Sequence, residues 1–340
     1  MKRWRSVLVA FVALTFVGCG LTDGGVRGYR WETLGQKLGF GNLGGAYPDG
    51  SPWFDALGRG AQRFDETVFA WKDVDKPGGI SARFTLGFDG TEFTSENGIY
   101  ARAPGASAWT LLPDSRRLAL EARGADRDGT VFASLGSATS AQKLYALRKG
   151  SSTWNLLSVQ PTTPASTTLS IDSTGVAYLR QPQNLWRLQG EVAVSQPYPQ
   201  AVTFDFTGKR YAVAISSAGV QISKVSDGGT LEPWANFAPG VRLSRVLGFG
   251  KDGRLYAIAS DFGADNAIGD IVSLGAGESA WRFAANTVSN GDGTPGGLPL
   301  SENAYAAFFA PDGSLIFGGC EAGCSGNGNS VSFGVYRLHF

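Results

Sequence analysis

The chain has 340 residues, with 48 glycines, 12% aromatic residues and only 17% charged residues. That length exceeds one ordinary compact core unless the chain closes on itself as a barrel or ring, and the glycine and aromatic content favours many turns and many strands. The formal net charge is +1, and no Lys/Arg cluster occurs beyond the first residues, which argues against nucleic acid as a partner.

The chain begins MKRWRSVLVAFVALTFVGCG: a basic start at Lys2, Arg3 and Arg5, an apolar stretch from Val7 to Val17, then Gly18-Cys19. The apolar stretch is about half of the roughly 20 residues a spanning helix needs, so the segment reads as a signal peptide. Its end, Phe16-Val17-Gly18-Cys19, resembles the lipobox of bacterial lipoproteins, with Phe16 where Leu is usual. The resemblance implies an acylated Cys19 as the first mature residue and, because Gly20 rather than Asp follows, an outer-membrane or cell-surface lipoprotein. The other reading is a secretory signal with an incidental Cys. The expected organisation is 1–18 signal peptide, 19–28 lipidated tether and 29–340 one folded domain.

From about residue 40 onward a unit recurs, clearest in Ala125 to Leu157: an Asp-Gly turn, a strand, a loop, a strand, a Gly turn and a last strand with a Trp. An Asp-Gly pair between alternating strands is a strong short hairpin signal. It occurs at Asp49-Gly50, Asp89-Gly90, Asp128-Gly129, Asp252-Gly253 and Asp312-Gly313, with looser forms at Asp172 to Gly175 and Asp205 to Gly208. Asp227-Gly228 lacks the flanking pattern and is left out. A short apolar strand precedes each turn, as in Arg83 to Phe88, and a strand with small residues follows, as in Thr130 to Ser134. A third strand has an apolar-Tyr/Trp centre, as in Lys143 to Arg148 and Asn184 to Leu188. A fourth carries Trp71, Trp109, Trp154, Trp234 or Trp281.

Self-similarity at this spacing, with four antiparallel strands per unit and no helical period, predicts an all-β fold: a β-propeller of seven four-stranded blades, with six as the alternative if residues 36 to 75 form an elaborated loop. The last unit ends on a third strand, Gly334 to Phe340, and Tyr29 to Gly35 has the pattern of the missing fourth. An N-terminal strand completing the last blade would leave no open edge. The turns loosely resemble the Asp-containing turns of sialidase-type bacterial propellers, but the fuller motif S-x-D-x-G-x-T-W is not met, so no residue role is carried over.

Little in the chain points to chemistry. The single histidine, His339, is penultimate and on a predicted strand, which leaves no basis for a Ser-His-Asp triad or a multi-His metal site. Cys320 and Cys324 lie in a glycine-rich loop, and in an oxidising compartment that spacing predicts a disulfide. Asp261, Asp265 and Asp270 share a loop with Asn266 and are the candidate calcium ligands, against the reading of a solvated loop; no other cofactor is implied. Asp73 with Asp75 and Asp126 with Asp128 are weaker versions. Glu96, Glu121, Asp261 and Glu321 are candidate carboxylates for glycoside hydrolysis, and Trp53 and Phe54 are candidate sugar stackers, with core packing the default. The expected function is a monomeric, lipid-anchored binding or scaffold module of the cell envelope for a protein or glycan. The alternative is a secreted carbohydrate-active hydrolase or lyase using a carboxylate pair in the channel.

Overall fold

The computed structural model describes residues 29–35, 38, 41–56, 59–79, 82–135, 143–161, 168–181, 184–196, 202–216, 219–236, 242–260, 270–285, 300–321 and 333–340. Strand β1 is Arg30–Gly35. Blade 1 follows as β2 (Gly41–Ala46), β3 (Pro52–Ala56), β4 (Gly60–Asp65) and β5 (Ala70–Asp73). Blade 2 is β6 (Arg83–Leu86), β7 (Glu92–Ser95), β8 (Ile99–Arg102) and β9 (Thr110–Leu111). Blade 3 is β10 (Leu120–Ala125), β11 (Val131–Leu135), β12 (Lys143–Leu147) and β13 (Asn155–Leu156). Blade 4 is β14 (Thr168–Ile171), β15 (Ala177–Gln181), β16 (Asn184–Gln189) and β17 (Val192–Gln196). Blade 5 is β18 (Val202–Phe204), β19 (Arg210–Ser216), β20 (Gly219–Val225) and β21 (Leu231–Asn236). Blade 6 is β22 (Arg242–Phe249), β23 (Leu255–Ser260), β24 (Asp270–Leu274) and β25 (Arg282–Ala285), and blade 7 has β26 (Leu300–Phe309), β27 (Leu315–Glu321) and β28 (Phe333–His339).

Each blade is a four-stranded antiparallel sheet in sequence order, and blade 7 takes β1 as its fourth strand, so the fold is a seven-bladed β-propeller closed by the N-terminal strand. Arg30 pairs with His339 and Glu32 with Arg337. Arg337 clasps the closure: its side chain pairs with Glu32 at 3.2 Å and with Glu66 of blade 1. Residues 41–73 form a full blade, which settles the count at seven rather than six.

The first hairpin of every blade uses one turn. The amide of Gly50, Gly90, Gly129, Gly175, Gly208, Gly253 or Gly313 donates to the carbonyl three residues earlier, at 2.8–3.0 Å. Each of these glycines has φ between 76° and 95°, a left-handed conformation that costs a side-chain-bearing residue roughly 1–2 kcal/mol. The aspartates do not share it: no turn Asp has positive φ. This is therefore a turn followed by a left-handed Gly, not the two-residue form with both central residues left-handed. The Asp instead accepts the amide two residues on, as Asp49 does from Ser51 and Asp312 from Ser314. In blade 3 that acceptor is Asp126, whose Oδ1 takes the Asp128 and Thr130 amides, while the Asp128 side chain is solvent-exposed. Asp128-Gly129 thus belongs with the looser Asp172 and Asp205 forms. The excluded pair Asp227-Gly228 does lie in a hairpin turn, between β20 and β21, with Gly229 as the left-handed residue.

Among the described residues, buried apolar clusters fill six of the seven seams between blades. Phe54 and Phe64 of blade 1 join Ile316 and Val335 of blade 7, and Phe132 of blade 3 joins Leu179 and Leu188 of blade 4. Side chains of this size are worth roughly 1.5–3 kcal/mol each when fully buried. The Trp of the fourth strand adds a polar link to the preceding unit. Trp71 Nε1 donates to the Leu34 carbonyl, Trp109 to Asp75 and Trp154 to Pro113, at 3.0, 2.9 and 2.7 Å. Trp109, Trp154 and Trp281 stand just before the fourth strand rather than on it.

Candidate functional site at the channel mouth

The inner strands β2, β6, β14, β18, β22 and β26 run towards one face of the ring, and the turns that follow them surround the mouth of the central channel. A cavity of about 820 Å³ opens there, lined by Ala46 and Pro48 of blade 1, Leu86 to Asp89 of blade 2, Ile171 to Ser173 of blade 4, Thr203 to Phe206 of blade 5, Leu247 to Phe249 of blade 6 and Ala307 to Phe309 with Pro311 of blade 7. Neighbouring turns are tied to one another: the Phe88 amide donates to the Ala125 carbonyl, Arg127 to Gly175, and the Ser173 hydroxyl to the Asp205 carbonyl. The rim is therefore a hydrogen-bonded collar in this sector, and its side chains are held in place before any ligand arrives.

The lining is mainly aromatic and aliphatic with carboxylates between. Phe88 is 41% exposed, although it is a large apolar side chain. Phe206 meets Phe309 edge-on at 6.3 Å, and Phe309 packs against Tyr256 at 5.3 Å. Aromatic faces supported from behind offer a rigid platform to a peptide or a sugar ring.

Asp89, Asp172 and Asp205 stand at the same mouth but are already engaged. Asp89 Oδ1 accepts the Thr91 amide; Asp172 Oδ1 accepts the Thr174 and Val176 amides; Asp205 Oδ1 accepts those of Thr207 and Lys209. Tyr211 donates its hydroxyl to Asp205 Oδ2 at 3.2 Å, and burial pushes that phenol up to about 12. These carboxylates hold the collar and give the mouth negative charge.

On β10, Glu121 lies between two cations, Arg83 at 2.6 Å and Arg123 at 3.3 Å. This bridge joins the inner strands of blades 2 and 3.

The other sequence candidates fall apart in space. His339 lies on the closing strand, its Nε2 3.0 Å from Glu32, and lines a small cavity at the blade 6–blade 7 seam rather than the mouth. Glu96 accepts the Gly79 amide, and Asp73 accepts from Gln62 at 2.7 Å. Trp53 and Phe54 are buried, at 8% and 0% exposure, so they are core and not sugar stackers. Asp270 opens β24 opposite Ala259, and Cys320 of β27 pairs with Phe333 of β28. Cys19, Asp261, Asp265 and Cys324 lie outside the described residues, and so do the side chains of Asp270, Cys320 and Glu321. Among the described residues no group of three or more His, Cys, Asp or Glu is placed to hold a metal ion.

In the sequence Phe88 and Phe309 read as strand residues, and Phe206 as part of the Asp205 to Gly208 turn. The signal that marks them is position: Phe88, Phe206 and Phe309 sit within three residues of a turn Asp, where the chain leaves the seam and reaches the channel.

No family model matches the chain, and no curated protein matches it. Solved structures do. A catalytically inactive histidine-to-alanine variant of virginiamycin B lyase from Staphylococcus aureus with quinupristin aligns over 92% of this chain and 100% of its own, with TM-score 0.55 and 12% identity. YCF48 bound to a D1 peptide aligns over 92% and 97%, with TM-score 0.56 and 11% identity. A GH74 enzyme from Niastella koreensis aligns over 87% of this chain and 42% of its own, with TM-score 0.50 and 13% identity. Likeness at such identity shows the β-propeller fold and nothing finer.

Proposed function

We propose that the chain is a lipid-anchored cell-envelope β-propeller that binds a protein or glycan partner at the channel mouth. The observation that carries this reading is the lining of the 820 Å³ cavity: an exposed Phe88 and the supported Phe206–Phe309 pair, set on a collar of tied turns. Similar folds include a peptide-bound protein, YCF48, which supports a peptide segment as one form of partner. The lyase fold relative depends on a histidine, whereas the one histidine here is paired to Glu32 at the ring closure. The lipid anchor rests on the leader's resemblance to a lipobox, ending at Cys19.

The test uses the full chain with Cys19→Ser, which is expected in the soluble fraction. Capture of a specific partner from envelope fractions, lost in Phe88→Ala and Phe206→Ala, supports the reading. Capture that is indifferent to both changes sinks it.

The second reading, a carbohydrate-active hydrolase, is favoured by one observation: Asp89, Asp172 and Asp205 stand around a single mouth, and a GH74 enzyme has a similar fold over 42% of its length. Release of reducing sugar from a polysaccharide by the wild-type chain and not by Asp172→Asn or Asp205→Asn would establish it over the binding reading.

A further inference from the structure

The seam between blades 4 and 5 is built differently from its neighbours. Among the described residues, buried apolar clusters bridge the six other seams, and none bridges this one. In its place Tyr178 of β15 stacks on Phe204 of β18, with ring centroids 4.7 Å apart. Directly opposite Tyr178 in the ladder is Arg187 of β16, and directly opposite Phe204 is Arg210 of β19. Opposed residues in an antiparallel pair point to the same face. Two guanidinium groups, one from each sheet, therefore enter the seam beside the stacked rings, near the hairpin turns of the channel-mouth face.

Their polar groups are unevenly matched. Arg210 is buried, donates to Gln196 Oε1 across the seam at 3.0 Å and to the Ser226 carbonyl at 2.9 Å, and has the fully exposed Asp227 at 3.7 Å. Arg187 Nε is buried with no hydrogen-bond partner, and neither its guanidinium nor the Tyr178 hydroxyl bonds to any described residue. Asp172, at the turn before β15, has its Oδ1 fixed by the turn amides. Three other arginines of the blades with little exposure have carboxylates: Arg102 with Glu92, Arg254 with Glu278, Arg337 with Glu32 and Glu66. A buried donor without an acceptor costs free energy, and a ligand that supplies oxygens recovers it. Burial also pushes the Tyr178 phenol up, so it remains a donor at neutral pH. On the blade 3 side of blade 4, Arg127 and Lys149 line a cleft of about 670 Å³ together with Asp126 and Asp128, and Arg187 borders it.

We infer that the blade 4–blade 5 seam is a binding site for a phosphate-type oxyanion, free or as a monoester, held by Arg187, the Tyr178 hydroxyl and Arg210. Guanidinium and phenol donors match the oxygens of a tetrahedral dianion, and charge-assisted bonds of this kind are the strong ones.

The experiment titrates the full chain with inorganic phosphate and, separately, with glycerol phosphate, at constant ionic strength, reading heat of binding and melting temperature. Saturable binding below about 20 mM is expected, weakened about tenfold or more in Arg187→Gln and several-fold in Tyr178→Phe. Tighter binding of glycerol phosphate identifies the monoester as the source, and tighter binding of phosphate identifies the free ion; either supports the site. A second readout needs no ligand: Arg187→Met is expected to raise the melting temperature of the ligand-free protein, because it removes an unpaired buried donor. The site is refuted by absence of saturable binding, or by affinity unchanged in both Arg187→Gln and Tyr178→Phe. Should Arg187→Gln fail to fold, Tyr178→Phe alone decides.

Discussion

Trp154 donates its indole N–H to the carbonyl of Pro113, 2.7 Å away and 41 residues earlier, so the last strand of blade 3 is tied to the chain leaving blade 2. Trp109 to Asp75 and Trp71 to Leu34 repeat the link one and two blades back. The residue that looked like a repeat marker in the sequence is thus a seam fastener, part packing and part hydrogen bond.

The two parts separate by mutation. Trp154→Phe keeps most of the ring volume and leaves the Pro113 carbonyl unpaired, which is expected to cost about 1–3 kcal/mol. Trp154→Ala also opens a cavity and is expected to cost about 3–5 kcal/mol. Denaturant titration of the two variants checks the ordering; equal costs would mean that the hydrogen bond carries the whole effect.

The turn glycines differ in what surrounds them. Gly253 has φ of 76° and open space where a Cβ would stand, so Gly253→Ala is expected to cost only the conformational term, about 1–2 kcal/mol. At Gly175 a Cβ would lie 2.6 Å from the Arg127 Cβ and 2.8 Å from the Phe88 ring, so Gly175→Ala is expected to cost more and to disturb the mouth. Melting curves for both variants read the difference.

Stability should fall at both ends of the pH scale for identifiable reasons. The Arg254 guanidinium beside Glu278 lowers its carboxyl to about 2. The contribution of Glu278 is then complete above the carboxylate's ordinary range, near 4.5, and lost as pH falls towards 2; Glu278→Gln should flatten that limb. At the other end, burial raises Tyr211 to about 12, so its contribution is present below pH 10 and lost as pH rises from 10 to 12. Urea midpoints across pH 2–12, with Tyr211→Phe as the control, test the sign of both.

The pair Cys320 and Cys324 is expected to form a disulfide that secures its own loop only. The seams hold the ring without it, so reduction should leave the melting transition within a few degrees of its oxidised value. Loss of the cooperative transition on reduction would contradict this.

Much of the architecture was legible because each blade repeats it. The left-handed glycine and its Asp mark every first hairpin, and Tyr29 to Gly35 completes blade 7 as its Trp-x-x-Leu pattern indicates. Blade 3 shows the limit: Asp128 precedes the glycine, yet Asp126 makes the turn bonds, since spacing alone does not show which oxygen faces the amides. The site was less legible. Phe88 and Phe309 read as strand residues like any seam phenylalanine, and only the ring geometry shows that they reach the channel. Arg187 and Arg210 are 23 positions apart in unremarkable strands, and only ladder register puts them in one seam.

Under the proposed function, the aromatic channel mouth is where the partner binds. The most direct measurement compares partner capture from envelope fractions by the Cys19→Ser full chain and by the same chain with Phe88→Ala and Phe206→Ala, after matching their melting temperatures. Capture by the first and none by the second is expected; equal capture by both would rule out binding at the mouth.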